Sequence, residues 1–215
     1  MKIGTIGAGE VAQAFARKAI DAGHEITFSN NRGPSHLNGL LEKFGPNASA
    51  ATRETAAALP IVLLAVPWPK VASALQGLPD WEDRILIDAT NGFDENGGLA
   101  DIGDDSTSEI VARLATGARV VKAMNQTFMK NFKKDPEIGN FRKALFISGD
   151  HPGATAKVAD LFEGFGFAPV LLGSLHVGGR MQAVGGTLAG HDLYLPWPAP
   201  RAFPAFNGQK LMADA

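Results

Sequence analysis

The sequence predicts an α/β protein built on a doubly wound, mostly parallel sheet. Apolar runs of strand length alternate with helical patterns through most of the chain, and hairpin signals are largely missing. Several of the runs are apolar throughout, as strands covered on both faces are. At 215 residues the chain can bury a sizeable core.

The first element is the most informative. Lys2-Ile3-Gly4-Thr5-Ile6 ends in Gly7-Ala8-Gly9, after which apolar residues recur at Val11, Ala12, Phe15, Ala16, Ala19 and Ile20. A switch from extended to helical periodicity across glycines marks a strand, a tight turn and a helix. The helix is expected to end at Gly23, where glycine can adopt the left-handed cap. The spacing G-x-G-x-x-A is an accepted form of the dinucleotide-binding fingerprint. In it Gly7 allows the turn, Gly9 lets the backbone approach a pyrophosphate, and Ala12 lets helix and strand pack closely. The fold is therefore expected to be Rossmann-like.

The second strand, His24-Glu25-Ile26-Thr27-Phe28-Ser29, runs into Asn30-Asn31-Arg32-Gly33-Pro34. An NAD-binding domain is expected to carry Asp or Glu there, accepting from the ribose hydroxyls. Here a guanidinium with hydroxyl and amide neighbours replaces it, a set that suits a 2′-phosphate, so the expected cofactor is NADP.

Leu37, Leu40, Leu41 and Phe44 form a helical stripe closed by Gly45-Pro46, and residues 48–51 suit a short strand. Thr52 is a plausible N-cap. The apolar run 60–66 reads as a strand, followed by a helix over about 70–76, and 84–92 is another buried strand leading into a polar loop. The acidic segment 93–105, with Asp94, Glu95, Asp101, Asp104 and Asp105, lacks the EF-hand spacing and reads as a solvated loop. Ser106-Thr107-Ser108-Glu109 is a capping box. Strands over 118–125, 143–148 and 168–172 and a helix starting at Asp150-His151-Pro152 and running to about Phe165 complete the pattern.

The strand-end rule gathers Gly7, Gly9, Glu10, Val11, Ser29, Asn30, Asn31, Arg32, Val66, Pro67, Trp68, Asn91, Lys122 and Asn125 into one crevice. Hydride transfer to a carbonyl also needs an acid. Lys122 and Asn125 form the best polar pair at a strand exit, and His191 in the tail is a further candidate, as is His176. His24, His36 and His151 read as structural or surface groups. The sole tyrosine, Tyr194, lies outside the Rossmann-like part.

From residue 173 the composition changes. Gly178-Gly179-Arg180, Gly185-Gly186 and Pro196, Pro198, Pro200 and Pro204 replace regular periodicity, with Tyr194, Trp197, Phe203 and Phe206 among them. The expected organisation is an NADP-binding domain over 1–172 and an extension over 173–215. Such an apolar arm is expected to pack on its own sheet, close a substrate pocket or embrace a second subunit, the last being preferred; a homodimer is the corresponding expectation.

A net charge of −2 gives no reason to expect nucleic acid or an anionic membrane as partner. No apolar run reaches the roughly 18 residues of a membrane span. With no cysteine, disulfides, thiolate metal sites and a cysteine nucleophile are excluded. No metal is expected, and the expected location is cytoplasmic.

The motifs together resemble the F420-dependent NADP oxidoreductase family. The matching stretches are Ile6-Gly7-Ala8-Gly9-Glu10-Val11-Ala12, Ser29-Asn30-Asn31-Arg32-Gly33-Pro34, Ala65-Val66-Pro67-Trp68, Ile87-Asp88-Ala89-Thr90-Asn91 and Val121-Lys122-Ala123-Met124-Asn125. The resemblance implies that Ser29, Asn30 and Arg32 recognise the 2′-phosphate. It implies that Ala65, Val66, Pro67 and Trp68 lie along the cofactor's ribose and nicotinamide side, with Asn91 and Asn125 near the ring and the acceptor. It further implies direct hydride transfer between NADPH and a deazaflavin, coenzyme F420, as small-molecule acceptor. The tail departs from that pattern and is similar to a related branch of dinucleotide-binding oxidoreductases. Another flavin, a quinone or a small carbonyl compound therefore stands as the alternative acceptor, and a non-catalytic NADPH-binding redox sensor as the alternative class. A hydroxyacid dehydrogenase with Lys122 as acid fits poorly, for want of a large helical C-terminal domain.

Overall fold

The computed structural model describes residues 1–198. Pro200, Phe203, Pro204 and Phe206, part of the expected arm, lie outside the described residues.

The chain runs β1 (Lys2–Ile6), α1 (Glu10–Asp21), β2 (Glu25–Ser29), α2 (Asn38–Leu41), β3 (Ala48–Ala50), α3 (Arg53–Ala57), β4 (Ile61–Leu64), α4 (Val71–Leu75) and β5 (Ile85–Asp88). It continues through α5 (Thr107–Leu114), β6 (Arg119–Ala123), α6 (Met129–Phe132), β7 (Glu137–Ile138), β8 (Phe141–Gly149), α7 (Pro152–Gly164), β9 (Ala168–Leu171), α8 (Val177–Gln182) and β10 (Tyr194–Pro196). The strands lie in the order β10-β8-β6-β5-β4-β1-β2-β3, with β7 and β9 also paired to β8. The pairs from β3 to β6 are all parallel, as is β8 with β9. Strand β8 runs antiparallel to β6, β7 and β10.

The two faces of the sheet are buried separately, as double winding requires. On one face α1 and α7 bring Phe15, Phe162 and Phe165 together in edge-to-face pairs with centroids 5.4–6.0 Å apart. On the other, Val71, Leu75, Trp81, Val111 and Leu175 cover Ile6, Val62, Leu64 and Leu86. Side chains of β4 alternate between the two clusters, Ile61 and Leu63 against Val62 and Leu64, which is why that run is apolar throughout.

Local chemistry accounts for most boundaries. Gly23 takes φ 81° after α1, and the Thr52 side chain accepts from Thr55 N at the start of α3. Ser106 and Glu109 form the full capping box of α5. The single helix expected over residues 37–44 is instead a 3₁₀ turn, Pro34–Leu37, followed by the short α2. Gly39 inside the stripe weakens a continuous α-helix there. The residue-70 helix likewise begins as a 3₁₀ turn, Trp68–Lys70.

The described part of the tail packs on its own sheet. Helix α8 lies against β8, and β10 pairs with residues 141–143 of β8. Glycine makes this possible, because an added Cβ at Gly178 would collide with the Ser148 hydroxyl and the backbone of Leu172. Strand β1 carries a similar constraint that its apolar pattern conceals. A Cβ at Gly4 would run into the Ala56 carbonyl of α3. The Gly4→Ala variant is expected to lose about 1–3 kcal/mol of stability, read as a lowered urea midpoint with an unchanged slope.

Candidate functional site

The ends of β1, β2 and β4 open into a cavity of about 620 Å³, within the usual range for cofactor pockets. Its floor is the glycine turn. Gly7 has φ 107°, its N–H donates to the Ser29 carbonyl at 3.1 Å, and an added Cβ would strike the Ala65 carbonyl. The Thr5 hydroxyl donates to the Gly7 carbonyl at 2.7 Å, and the Gln13 amide to that of Ala8 at 2.9 Å. These bonds fix the turn from both sides. At Gly9 a Cβ would meet no protein atom, so the backbone there faces open space. Gly9 is also the N-cap of α1 and supplies no side-chain cap. The first N–H groups of a twelve-residue helix thus remain available to an anion. This cradle fits the pyrophosphate of a dinucleotide.

Of the residues expected to bind cofactor, Gly7, Gly9, Ser29, Asn30, Asn31, Ala65, Val66 and Pro67 line this cavity. Glu10, Val11, Arg32, Trp68, Asn91 and Asn125 stand outside its lining. Glu10 pairs with Lys133 at 2.5 Å, Val11 packs on the core of α1, and Trp68 packs on the cluster around Leu64. Arg32 is exposed at the rim, its N–H held by Asn30 Oδ1 at 2.9 Å in an Asx turn. Ser29 differs from expectation. Its hydroxyl is fully buried and donates to the Thr5 carbonyl at 2.6 Å, so its one hydrogen is spent inside the sheet. Because β2 lies beside β1, a small polar residue at its end bonds the neighbouring backbone before it can reach a ligand.

The opposite wall escaped the sequence. Thr52, Arg53, Glu54, Lys70 and Ser73 line the cavity from α3 and the start of α4. Arg53 spans the two, donating to the Ser73 carbonyl at 2.8 Å and to Glu54 at 3.2–3.3 Å. A basic residue just after a Thr N-cap, ahead of a second basic residue after a proline turn, was the signal available.

Beyond the cavity, towards β5 and β6, the strand ends carry a buried polar cluster. Asp88 and Lys122 are register partners on adjacent parallel strands and have no exposed surface. The Asp88 carboxylate accepts from Thr90 N at 2.8 Å, Thr90 Oγ1 at 2.7 Å, Ser108 Oγ at 2.5 Å and Lys122 Nζ at 3.4 Å. Lys122 Nζ also donates to Thr107 Oγ1 at 2.9 Å and the Thr90 carbonyl at 3.3 Å. Lys122 is thereby corrected as a candidate acid: α8 covers it, and its protons point into the fold. Burial pushes its ammonium below the ordinary lysine value, and Asp88 draws it part of the way back.

The chain leaves β6 through Met124, a buried side chain at φ 71°, a conformation that costs a non-glycine residue free energy. Asn125 follows, 7% exposed, donating its amide to the Thr90 carbonyl. Its Oδ1 has no partner among the described residues. Asn91 is committed at both ends, to the Asn125 carbonyl at 3.3 Å and from Val184 N at 3.1 Å, so it ties the tail to the strand ends. His191 is exposed, and His176 is held by Glu109 at 3.1–3.2 Å. No helix among the described residues is long and apolar enough to cross a membrane.

A glycine turn under an uncapped helix, at the carboxyl edge of a doubly wound sheet, defines a Rossmann-type dinucleotide-binding oxidoreductase fold. Residues 2–92 match the family described as NADP oxidoreductase, coenzyme F420-dependent. The chain is 34% identical to the hypothetical protein SMa0349 of Sinorhizobium meliloti, with a TM-score of 0.85 over 91% of this chain and 96% of that one. It is 25% identical to a candidate F420-dependent NADP-reductase of Arthrobacter sp. FB24, with a TM-score of 0.68 over 90% of this chain and 99% of that one. Among curated proteins, rat (Rattus norvegicus) metalloreductase STEAP3 is 27% identical over 184 residues, 85% of this chain. The chain spans 36% of the length of that relative. Over residues 2–92 the protein belongs to the F420-dependent NADP oxidoreductase family.

The buried pair yields two expectations. Lys122→Met should destabilise the protein by about 3–5 kcal/mol, because it leaves Asp88 as a buried, uncompensated charge. Lys122→Met with Asp88→Leu should recover much of that loss in urea unfolding. Between the lowered folded pKa of Lys122 and 10.5, the unfolded chain binds more protons than the folded one. Stability contributed by this site should therefore rise with pH in that window, and the double variant should lack the increment.

Proposed function

We propose that this protein is an NADPH-dependent oxidoreductase whose cofactor lies across the glycine turn, with coenzyme F420 as the acceptor of the hydride. The reading rests on one observation above the others: the Gly7–Gly9 cradle opens beside a β2 exit where Asn30, Asn31 and Arg32 stand in place of a carboxylate. The N–H groups at the start of α1 would hold the pyrophosphate. Arg32, Asn31 and the free amide of Asn30 would hold the 2′-phosphate, with Arg53 and Lys70 adding positive charge from the facing wall. Ala65, Val66 and Pro67 would flank the ribose. Asn125 Oδ1, a buried acceptor awaiting a donor, suits the nicotinamide carboxamide N–H.

When bound, NADPH supplies the hydride. The chain's own part is to orient the ring at the ends of β4, β5 and β6 and to keep water from it. Lys122 is turned inward, and Asn91 is spent on the tail. Neither is set to protonate an alkoxide, which favours an acceptor that takes a hydride without one, as a deazaflavin does.

Fluorescence titration tests the cofactor. NADPH should bind more tightly than NADH, and Arg32→Ala should weaken NADPH by roughly 10- to 100-fold with little effect on NADH. Equal affinities for the two would overturn the reading. Stopped-flow oxidation of bound NADPH by F420, FMN and a quinone tests the acceptor. F420 should react fastest, and the absence of oxidation by any of them would point to a redox-sensing module.

A further inference from the structure

Gly178, Gly179, Gly185 and Gly186 of the tail and the arginine among them have no part in the dinucleotide cleft, yet the structure gives most of them a task. Gly178 lets α8 settle on β8, and Gly179 lies over Lys122, where an added Cβ would make ordinary contact with its Cδ at 3.6 Å. Gly185 takes φ 82°, and a Cβ at Gly186 would collide with the Arg180 carbonyl. The chain therefore folds back over α8 and roofs a second cavity of about 290 Å³. Its lining includes Gly92, Leu99, Ala100, Ile102 and Val184 as apolar wall, with Ser106, Thr107 and Arg180 as its polar side chains.

Of those three side chains, Thr107 and Arg180 offer free hydrogen-bond donors among the described residues. Ser106 Oγ and Thr107 Oγ1 are 1% and 3% exposed by residue. Each already accepts a bond, from Glu109 N at 3.2 Å and from Lys122 Nζ at 2.9 Å respectively. A hydroxyl has a single hydrogen: that of Ser106 is shared with the Glu109 carboxylate, while that of Thr107 is given to no other group among the described residues. Arg180 is exposed at the mouth. Of the carboxylates nearby, Asp105 lies close enough to feel Arg180 but is bound to Arg113 at 2.6 Å, and Glu109 is taken up by Ser106 N and His176. A ligand here must bring acceptors to one end and apolar surface to the other.

We propose that the cavity between α5 and α8 is a second binding site, one that takes a small organic carboxylate. Its charged end meets Arg180 and the Thr107 hydroxyl, and its apolar end lies against Leu99, Ala100 and Ile102. The site stands independently of the cofactor assignment. Gly92 in its wall directly follows Asn91, so an occupant lies next to the link between the strand ends and the tail.

Titration of the full, isotope-labelled chain with benzoate and with pentanoate, followed by amide NMR, tests this. Both should give saturable shifts grouped at Gly92, Ala100, Thr107 and Gly185, and neutral benzamide should not. Arg180→Gln alters an exposed side chain and should weaken both by roughly 10- to 100-fold while leaving NADPH affinity unchanged. Ala100→Leu, which fills the cavity, should abolish binding. The site is refuted if neither carboxylate saturates, if benzamide binds equally well, if the shifts fall at the Gly7 turn, or if Arg180→Gln binds as the parent does.

Discussion

The carboxylate of Asp88 is the constraint on which the functional end of the sheet depends. It lies at the last position of β5, without access to water, and gathers donors from its own strand exit, from α5 and from β6. A buried carboxylate left alone would be costly, and its partners are fixed by that cost. Thr90 must curl back, Ser108 must sit in the first turn of α5, and Lys122 must occupy the register position across the ladder. Lys122 in turn binds Thr107, and Lys122 itself lies under Gly179 of α8. One charge therefore ties two strands, a helix start and the tail into one unit.

This arrangement separates positioning from chemistry. The most reactive-looking side chain at the strand ends, Lys122, is used to hold the frame. What the frame exposes is backbone: the open glycine turn, the uncapped start of α1 and the loop after β2. Such a site binds phosphate groups well and leaves reactivity to whatever cofactor it holds. The strained Met124 and the Oδ1 of Asn125, unpaired among the described residues, lie at the same edge, where a packed frame can sustain conformations that a loose one would relax.

Elements whose signals are local could be read directly. The Gly7–Gly9 turn, the Thr52 cap and the Ser106–Glu109 box each depend on residues within one turn of each other. The four buried strands at the centre followed from the apolar runs. What escaped were features made by partners distant in sequence. The antiparallel course of β8 arises from a short hairpin with β7 and from the return of β10, three residues long, in a stretch dominated by glycine and proline. Helix α8 carries two glycines and looked irregular, because its stability comes from contact with β8 rather than from propensity. The committed hydroxyl of Ser29 and the inward Lys122 depended on which strand lies alongside.

By itself the sequence determined the class of fold and the character of the cofactor site, since periodicity, glycine spacing and the missing carboxylate after β2 act over a few residues. Only the tertiary structure decided which polar residues remain available. Strand order sets the neighbour of each side chain, and a buried polar group bonds the nearest partner it is given. Asn30 and Arg32 were left facing the rim; Ser29, Asn91 and Lys122 were taken into the frame; and the glycines of the tail became the roof over a second cavity.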